Sequence, residues 1–395
     1  MEIIYKNENG SIIHGDNLEY LAATEGNSVD SCISDFPYDL SFMGKKWDKI
    51  DNFYEWNKLR AQALYRVMKP GGYVAIFGHP KTNHRMKCAF EDSGFKIVEE
   101  IDWIYFSGLP KNQDISKLFD KDAGATRETI GIKLRLSSSK QEQKIFNKDN
   151  RTEEEINAIT APSSDMAKKW NGWKTSGLKP AHEPITIFQK PLEGTYIQNI
   201  EKYGCGAMNI DACRVPISKT DIDKLNAKAS RNPTTNYSDK NDKIYGKFAI
   251  DIATPVNDAE RFPANIILDE YTANILDEQT DNGSRLFSII KYHPKASPSE
   301  RKLPDGSRNP HVTLKPIALI KWLIKLLTPI DGTTIDITAG SCTHSIAAEE
   351  LNRNEGYHLK WIEVEIMNTK EEPYCNVGKA RLEHLESVAI QMTLY

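Results

Sequence analysis

Between Val29 and Tyr105 the chain alternates short apolar runs with helical patterns, and each pattern ends on a breaker. Val29 to Ile33 alternates as a β-strand does. Phe53 to Met68 places apolar side chains at helical spacing and stops at Lys69-Pro70-Gly71-Gly72. Tyr73 to Gly78 reads as a buried strand, Thr82 to Asp92 as an amphipathic helix closed by Ser93-Gly94, and Phe95 to Tyr105 as the next strand. Strand, helix, strand, helix, strand at these spacings requires crossover connections, which predicts an α/β fold with a doubly wound sheet.

Open sheets of this kind bind ligands at the carboxyl ends of their strands. The strand Val29 to Ile33 runs into Ser34-Asp35-Phe36-Pro37-Tyr38-Asp39-Leu40-Ser41-Phe42. Pro37 fixes its own φ and biases Phe36 towards extended backbone, which sets the direction of the Phe36 carbonyl. The Asp35 carboxylate and that carbonyl are two acceptors able to grip both hydrogens of one amino group. Tyr38 offers a flat face on which a planar base can stack. The structural alternative is an ordinary turn with Tyr38 packed into the core.

A second stretch, Thr334-Ile335-Asp336-Ile337-Thr338-Ala339-Gly340-Ser341-Cys342-Thr343, runs from a strand into a loop of small residues, and His344 to Leu351 starts a helix. Small residues there let the backbone approach a ligand closely. Glu365 follows the apolar run at Trp361, at the end of what reads as the next strand, where an acid commonly binds ribose hydroxyls; Glu363 is its rival. Before the first of these motifs, Ile12 to Asp16 reads as a short strand with a helix starting at Asn17, so Asp16 is also a candidate helix cap.

The chain has 395 residues and a formal net charge of -4, so no global basic signal points to nucleic acid, and any such surface must be local. Its six cysteines form no Cys-x-x-Cys pair, which argues against structural zinc and suits a reducing compartment. No stretch approaches membrane-span length and the N-terminus carries no basic-then-apolar leader, so a cytoplasmic protein with no membrane partner is expected.

Asp35-Phe36-Pro37-Tyr38 resembles the Asp-Pro-Pro-Tyr motif of the S-adenosylmethionine-dependent DNA amino methyltransferases, and the resemblance continues through Trp47. Asn309-Pro310-His311-Val312-Thr313-Leu314-Lys315-Pro316 is similar to the element that precedes their cofactor half, and the Asp336 to Thr343 loop to the one that holds S-adenosylmethionine. Ser107 to Lys111, Trp170 to Pro184, Tyr203 to Arg214 and Arg261 to Asn265 also match one bacterial and phage branch. Departures are Phe36 for the first proline, Val312 for proline, Ile337-Thr338 for Pro-Phe, and Cys342 for a glycine.

The resemblance implies a Rossmann-like class I methyltransferase sheet. With the amine motif first and the cofactor loop last, it is circularly permuted, the order of the beta class. That order disfavours protein-glutamine methyltransferases, and the absence of a Pro-Cys dipeptide disfavours cytosine-C5 enzymes. It implies catalytic Asp35, Phe36, Pro37 and Tyr38. It also implies cofactor contacts from Asp16, Thr313, Lys315, Asp336, Ala339, Gly340, Ser341, Thr343 and Glu365, and no metal. His182 beside Glu183 is not read as an acid/base pair, because methyl transfer to an amine needs little general base.

The implied layout is a catalytic half at 1–112, a mobile polar insertion at 113–179, a returning strand at 180–191, a separate target-recognition region at 192–304 and the cofactor half at 305–395. Lysines and aromatics interleave from Lys168 to Lys179, and Lys219, Arg231, Lys243 and Lys247 are further candidates for phosphates. The expected partner is double-stranded DNA, with a homodimer and a cognate restriction enzyme left open. The leading acid favours adenine N6 over cytosine N4. A degenerate DNA-binding member without methyl transfer is the third reading, motivated by the substitutions at Phe36, Ile337, Thr338 and Cys342.

Overall fold

The computed structural model describes residues 1–40, 44–106, 108, 112–132, 158–231, 260–280, 282–290 and 301–393. The motif residues Ser41 and Phe42, the polar stretch at 133–157, and Lys243 and Lys247 lie outside them. The chain divides into two compact units, Met1–Ser107 with Ala181–Tyr395, and Gly108–Pro180. Its strands are β1 (Glu2–Lys6), β2 (Gly10–His14), β3 (Val29–Ser34), β4 (Met68–Phe77), β5 (Lys96–Ile104), β6 (Thr129–Ile132), β7 (Ala158–Thr160), β8 (His182–Gln189), β9 (Ile266–Asp269), β10 (Ser288–Ile290), β11 (Thr333–Asp336) and β12 (Lys360–Glu365).

In the larger unit one sheet runs β1-β2-β12-β11-β3-β4-β8-β5-β9-β10. β1 and β8 are antiparallel to their neighbours and the remaining pairings are parallel. Strand alternation sends side chains to two separate cores. Cys32, Val74, Ile76 and Ile335 join Leu64, Met86 and Phe90 on one face, while Ile33, Tyr73, Ala75 and Phe77 join Leu323, Ile324 and Leu351 on the other. The sheet is therefore doubly wound, as the alternating patterns predict. Helix Ile317–Leu327 buries Leu319, Ile320, Leu323, Ile324, Leu326 and Leu327, the spacing of one helical face. Each such side chain contributes roughly 1.5–3 kcal/mol of burial.

β11 and β3 are adjacent and parallel near the middle of the sheet. β12 and β2 follow on one side and β4 on the other, so the chain's last strands and its first strands meet in the middle. Both functional stretches thereby emerge from neighbouring strand ends.

Three local expectations need correction. Lys69-Pro70-Gly71-Gly72 ends the preceding helix at Val67 but lies inside β4, as an irregularity where the pairing jumps from Val29 with Met68 to Ser31 with Tyr73. Gly71, at φ +81°, supplies the left-handed residue this bend requires. The described parts of the polar insertion are folded: β6 and β7 pair antiparallel, and the buried Asp120 carboxylate accepts Ser163 N at 3.0 Å, Ser164 N at 2.8 Å and an ion pair from Arg127. A polar clamp, invisible to apolar periodicity, organises that unit. The described residues of 192–304 are not set apart either: they belong to the larger unit, where β9 and β10 extend the main sheet.

Candidate active site

β3 delivers Asp35 to the carboxyl edge of the sheet, and the residues around it are fixed from β11 and the loop that follows it. Ser34 Oγ donates to Asp336 Oδ1 at 2.5 Å, and Thr338 Oγ1 donates to the Asp35 carbonyl at 3.1 Å. Phe36 turns inward, 2 % exposed, with its ring edge-on to Trp56 at 5.4 Å. The residue that replaces proline is therefore a core anchor for the turn. Beyond it the buried Asp48 carboxylate accepts Tyr38 N at 2.8 Å, Asp39 N at 3.0 Å and Leu40 N at 3.2 Å. Asp39 sits at φ +56°, and its side chain accepts Ile50 N at 3.0 Å.

Two carboxylates and one ammonium meet above this turn. Lys315 Nζ lies 2.7 Å from Asp35 Oδ2 and 3.1 Å from Glu183 Oε2. Tyr38 OH donates to Asp35 Oδ1 at 2.7 Å and lies 3.2 Å from Glu183 Oε2, and Tyr105 OH donates to Glu183 Oε1 at 3.3 Å. Burial raises the Asp35 carboxyl above its ordinary value; the Lys315 ammonium opposes the rise and Glu183 adds to it. Burial works against the Lys315 ammonium, but Asp35 and Glu183 outweigh it and hold it above the usual lysine value. The same burial and carboxylates push the Tyr38 phenol well up, so it serves as a donor.

The second stretch forms the wall beside it. Ala339 N donates to the Val364 carbonyl at 3.1 Å, and Gly340 N to Glu365 Oε2 at 2.7 Å. Gly340 has φ +52°, and a Cβ there would come within 2.6 Å of His311 Nε2, so this position takes no side chain. Asn309 Nδ2 donates to Ser341 Oγ at 3.0 Å, while Arg381 Nη1 donates to the Ser341 carbonyl at 2.5 Å and Thr343 Oγ1 at 3.2 Å. Asn17 Nδ2 holds the Ile337 carbonyl at 2.8 Å. Cys342 caps the helix Thr343–Asn354 at φ +60°, its side chain buried.

The candidate cofactor residues fall at successive strand ends. Asp16 follows β2, Glu365 ends β12 and Asp336 ends β11, neighbours in that order. Asp16 Oδ1 accepts Leu18 N at 2.8 Å and so does cap the helix that follows. Burial pushes Glu365 up to about 7, against the backbone N–H groups of Met367 and Gly340. Burial, then the Glu363 carboxylate, pushes Asp336 to about 7 as well. Glu363 itself is fully buried, 3.4 Å from His344 Nδ1, inside the core rather than at the edge. Thr313 is half-buried in the turn before Lys315, and Lys315 ends at Asp35 and Glu183.

Sequence reasoning missed Glu183, Asp48, Tyr105, Thr338 and Asn17 as parts of the site. His182 and Glu183 diverge: the half-exposed His182 lies 3.8 Å from Asp102, while Glu183 enters the carboxylate cluster. The signal available for Glu183 was an acid opening an otherwise apolar buried strand.

Residues 29–377 match the family model N6_N4_Mtase, described as DNA methylase. The chain belongs to this DNA methylase family. Among curated relatives of these methylases, the type II methyltransferase M.HindIII of Haemophilus influenzae is 21% identical over 384 residues, covering 87% of this chain and 88% of that one. Among solved structures, the PvuII DNA methyltransferase (cytosine-N4-specific) aligns with 96% of this chain and 88% of its own at 17% identity and TM-score 0.44. TTHA0409 of Thermus thermophilus, complexed with S-adenosyl-L-methionine, aligns with 94% of this chain and 91% of its own at 12% identity and TM-score 0.41.

Proposed function

We propose that this DNA methylase transfers a methyl group from S-adenosylmethionine to the exocyclic N6 of an adenine extruded from double-stranded DNA. The observation that carries the reading is the juxtaposition of the Asp35 carboxylate with the β11 loop, joined by the Thr338 hydroxyl on the Asp35 carbonyl. We assign the chain to the permuted, beta class because the amine turn follows β3 early in the chain and the cofactor loop follows β11 late in it, and we place a target-recognition region within 192–304.

The residues beside β11 suit the methyl donor. Asp16, Asp336 and Glu365 offer carboxylates to hydroxyl, amino and cationic groups, and the small residues Ala339 to Ser341, with Thr313 and Thr343 alongside, form the loop beside them. Bound there, S-adenosylmethionine supplies an electrophilic methyl group on a positively charged sulfur.

The chain's own groups prepare the amine. Extruding a base costs a few kcal/mol of unstacking. Stacking on Tyr38 returns about 1–3 kcal/mol. Asp35 and the Phe36 carbonyl each accept a hydrogen of the amino group, drawing its lone pair out of ring conjugation. Pro37 and Asp48 hold both acceptors in place, so the rate comes mainly from positioning. Asp35 then takes the proton released from the methylated nitrogen, a role suited to a carboxyl raised by burial.

Incubating the protein with tritiated S-adenosylmethionine and unmethylated plasmid DNA tests the reading. Incorporated label is expected. A protein that binds DNA but incorporates none is the degenerate binder instead.

A further inference from the structure

Both oxygens of Asp35 already have donors. Tyr38 OH holds Oδ1 at 2.7 Å and Lys315 Nζ holds Oδ2 at 2.7 Å. Each oxygen keeps a second lone pair, but an amino group arriving at Asp35 competes with both donors for the same carboxylate charge. Lys315 is 9 % exposed, so an ammonium released there needs another acceptor or carries the full cost of an unpaired buried charge. One oxygen lies within reach of both donors: Glu183 Oε2, 3.1 Å from Lys315 Nζ and 3.2 Å from Tyr38 OH.

Glu183 is itself fixed. It stands on β8 opposite Trp103 of β5, and Tyr105 OH donates to its other oxygen at 3.3 Å. The cluster of two carboxylates and one ammonium carries a formal net charge of −1. It therefore keeps a negative charge beside the reacting nitrogen even with Lys315 paired.

We propose that Glu183 is a positioning residue that receives the Lys315 ammonium, and with it the Tyr38 hydroxyl, when the target amine takes its place on Asp35. The proposal rests on the reading of Asp35 as the acceptor of that amine. Without Glu183, Lys315 stays on Asp35 and competes with the substrate.

The experiment is single-turnover methyl transfer to plasmid DNA at saturating S-adenosylmethionine, with thermal unfolding and cofactor titration for each variant. Glu183→Gln keeps the shape but loses the charge that pairs with the ammonium. It is expected to slow transfer on the order of tenfold to a hundredfold, with cofactor affinity within about twofold of the original protein. Glu183→Asp should fall between. The double variant Glu183→Gln/Lys315→Met should be faster than Glu183→Gln alone, because the competitor is gone; a merely structural role gives no such recovery. Glu183→Gln at the original rate, or a double variant no faster than the single, overturns the proposal. If Glu183→Gln does not fold, Glu183→Asp with and without Lys315→Met reads the same competition. An unsubstituted protein that transfers no methyl group overturns the proposed function instead.

Discussion

Cys342 and Gly378 fit together: a Cβ on Gly378 would fall on the Cys342 sulfur, closer than side chains pack. Cys342 holds a left-handed backbone at φ +60°, where its family motif has glycine, and its side chain points into the core shared with Ile12. The missing side chain on helix Tyr374–Thr393 thus makes room for the extra one in the loop. Gly378→Ala should destabilise the protein by about 1–3 kcal/mol through overpacking. Combining it with Cys342→Gly should recover most of that loss, since the pair is in contact. Calorimetric melting of the four proteins checks this; strictly additive losses would contradict it. Because Cys342 faces the core, Cys342→Gly should leave S-adenosylmethionine affinity within about threefold. A large gain in affinity would favour the degenerate reading.

Asp48 is the second support of the amine motif. Its carboxylate accepts three consecutive N–H groups, at Tyr38, Asp39 and Leu40. Asp48→Ala leaves those donors unpaired and frees the turn, at a cost of about 1–3 kcal/mol. Single-turnover methyl transfer should slow by at least roughly tenfold, since small displacements of positioned groups are costly. Isothermal titration with S-adenosylmethionine should show unchanged affinity. An unaltered rate would mean that the turn is set by Pro37 and Phe36 alone.

Much of this organisation was legible in the sequence, and the rest was not for identifiable reasons. The helices at Phe53–Val67 and Ile317–Leu327 and the strand Val29–Ser34 follow directly from apolar periodicity and breakers. Asp35 and Tyr38 were visible because strand, turn and aromatic are contiguous. Lys315 was visible as a motif residue, but its pairing with Asp35 spans 280 positions and depends on β11 lying beside β3. Glu183 carried no local signal strong enough to place it, because its role arises from β8 lying between β4 and β5. The insertion at 113–179 stood apart in the sequence, but the folding of its described parts within the unit Gly108–Pro180 did not show, because buried Asp120 and its partner Arg127 hold them and two charged residues read as surface in any hydropathy pattern.

Glu365 gives the protein a pH dependence of defined sign. Burial raises its carboxyl from 4.5 to about 7, so the folded state holds the proton more tightly than the unfolded chain. Its contribution to stability is full below the unfolded value and is lost as pH rises through the folded one. The loss is about 3 kcal/mol in full. Glu365→Gln does not titrate, so its melting temperature minus that of the unsubstituted protein should rise between about pH 5 and pH 7.5. A difference independent of pH, or one that falls, would contradict the assignment.

The central claim is that Asp35, at the end of β3, presents an adenine amino group for methylation. The most direct measurement is nucleoside mass spectrometry of unmethylated plasmid DNA after reaction with S-adenosylmethionine and either the unsubstituted protein or Asp35→Ala. N6-methyladenine is expected from the first and none from the second, with both proteins folded by thermal unfolding. N4-methylcytosine in place of N6-methyladenine, or full activity in Asp35→Ala, would contradict it.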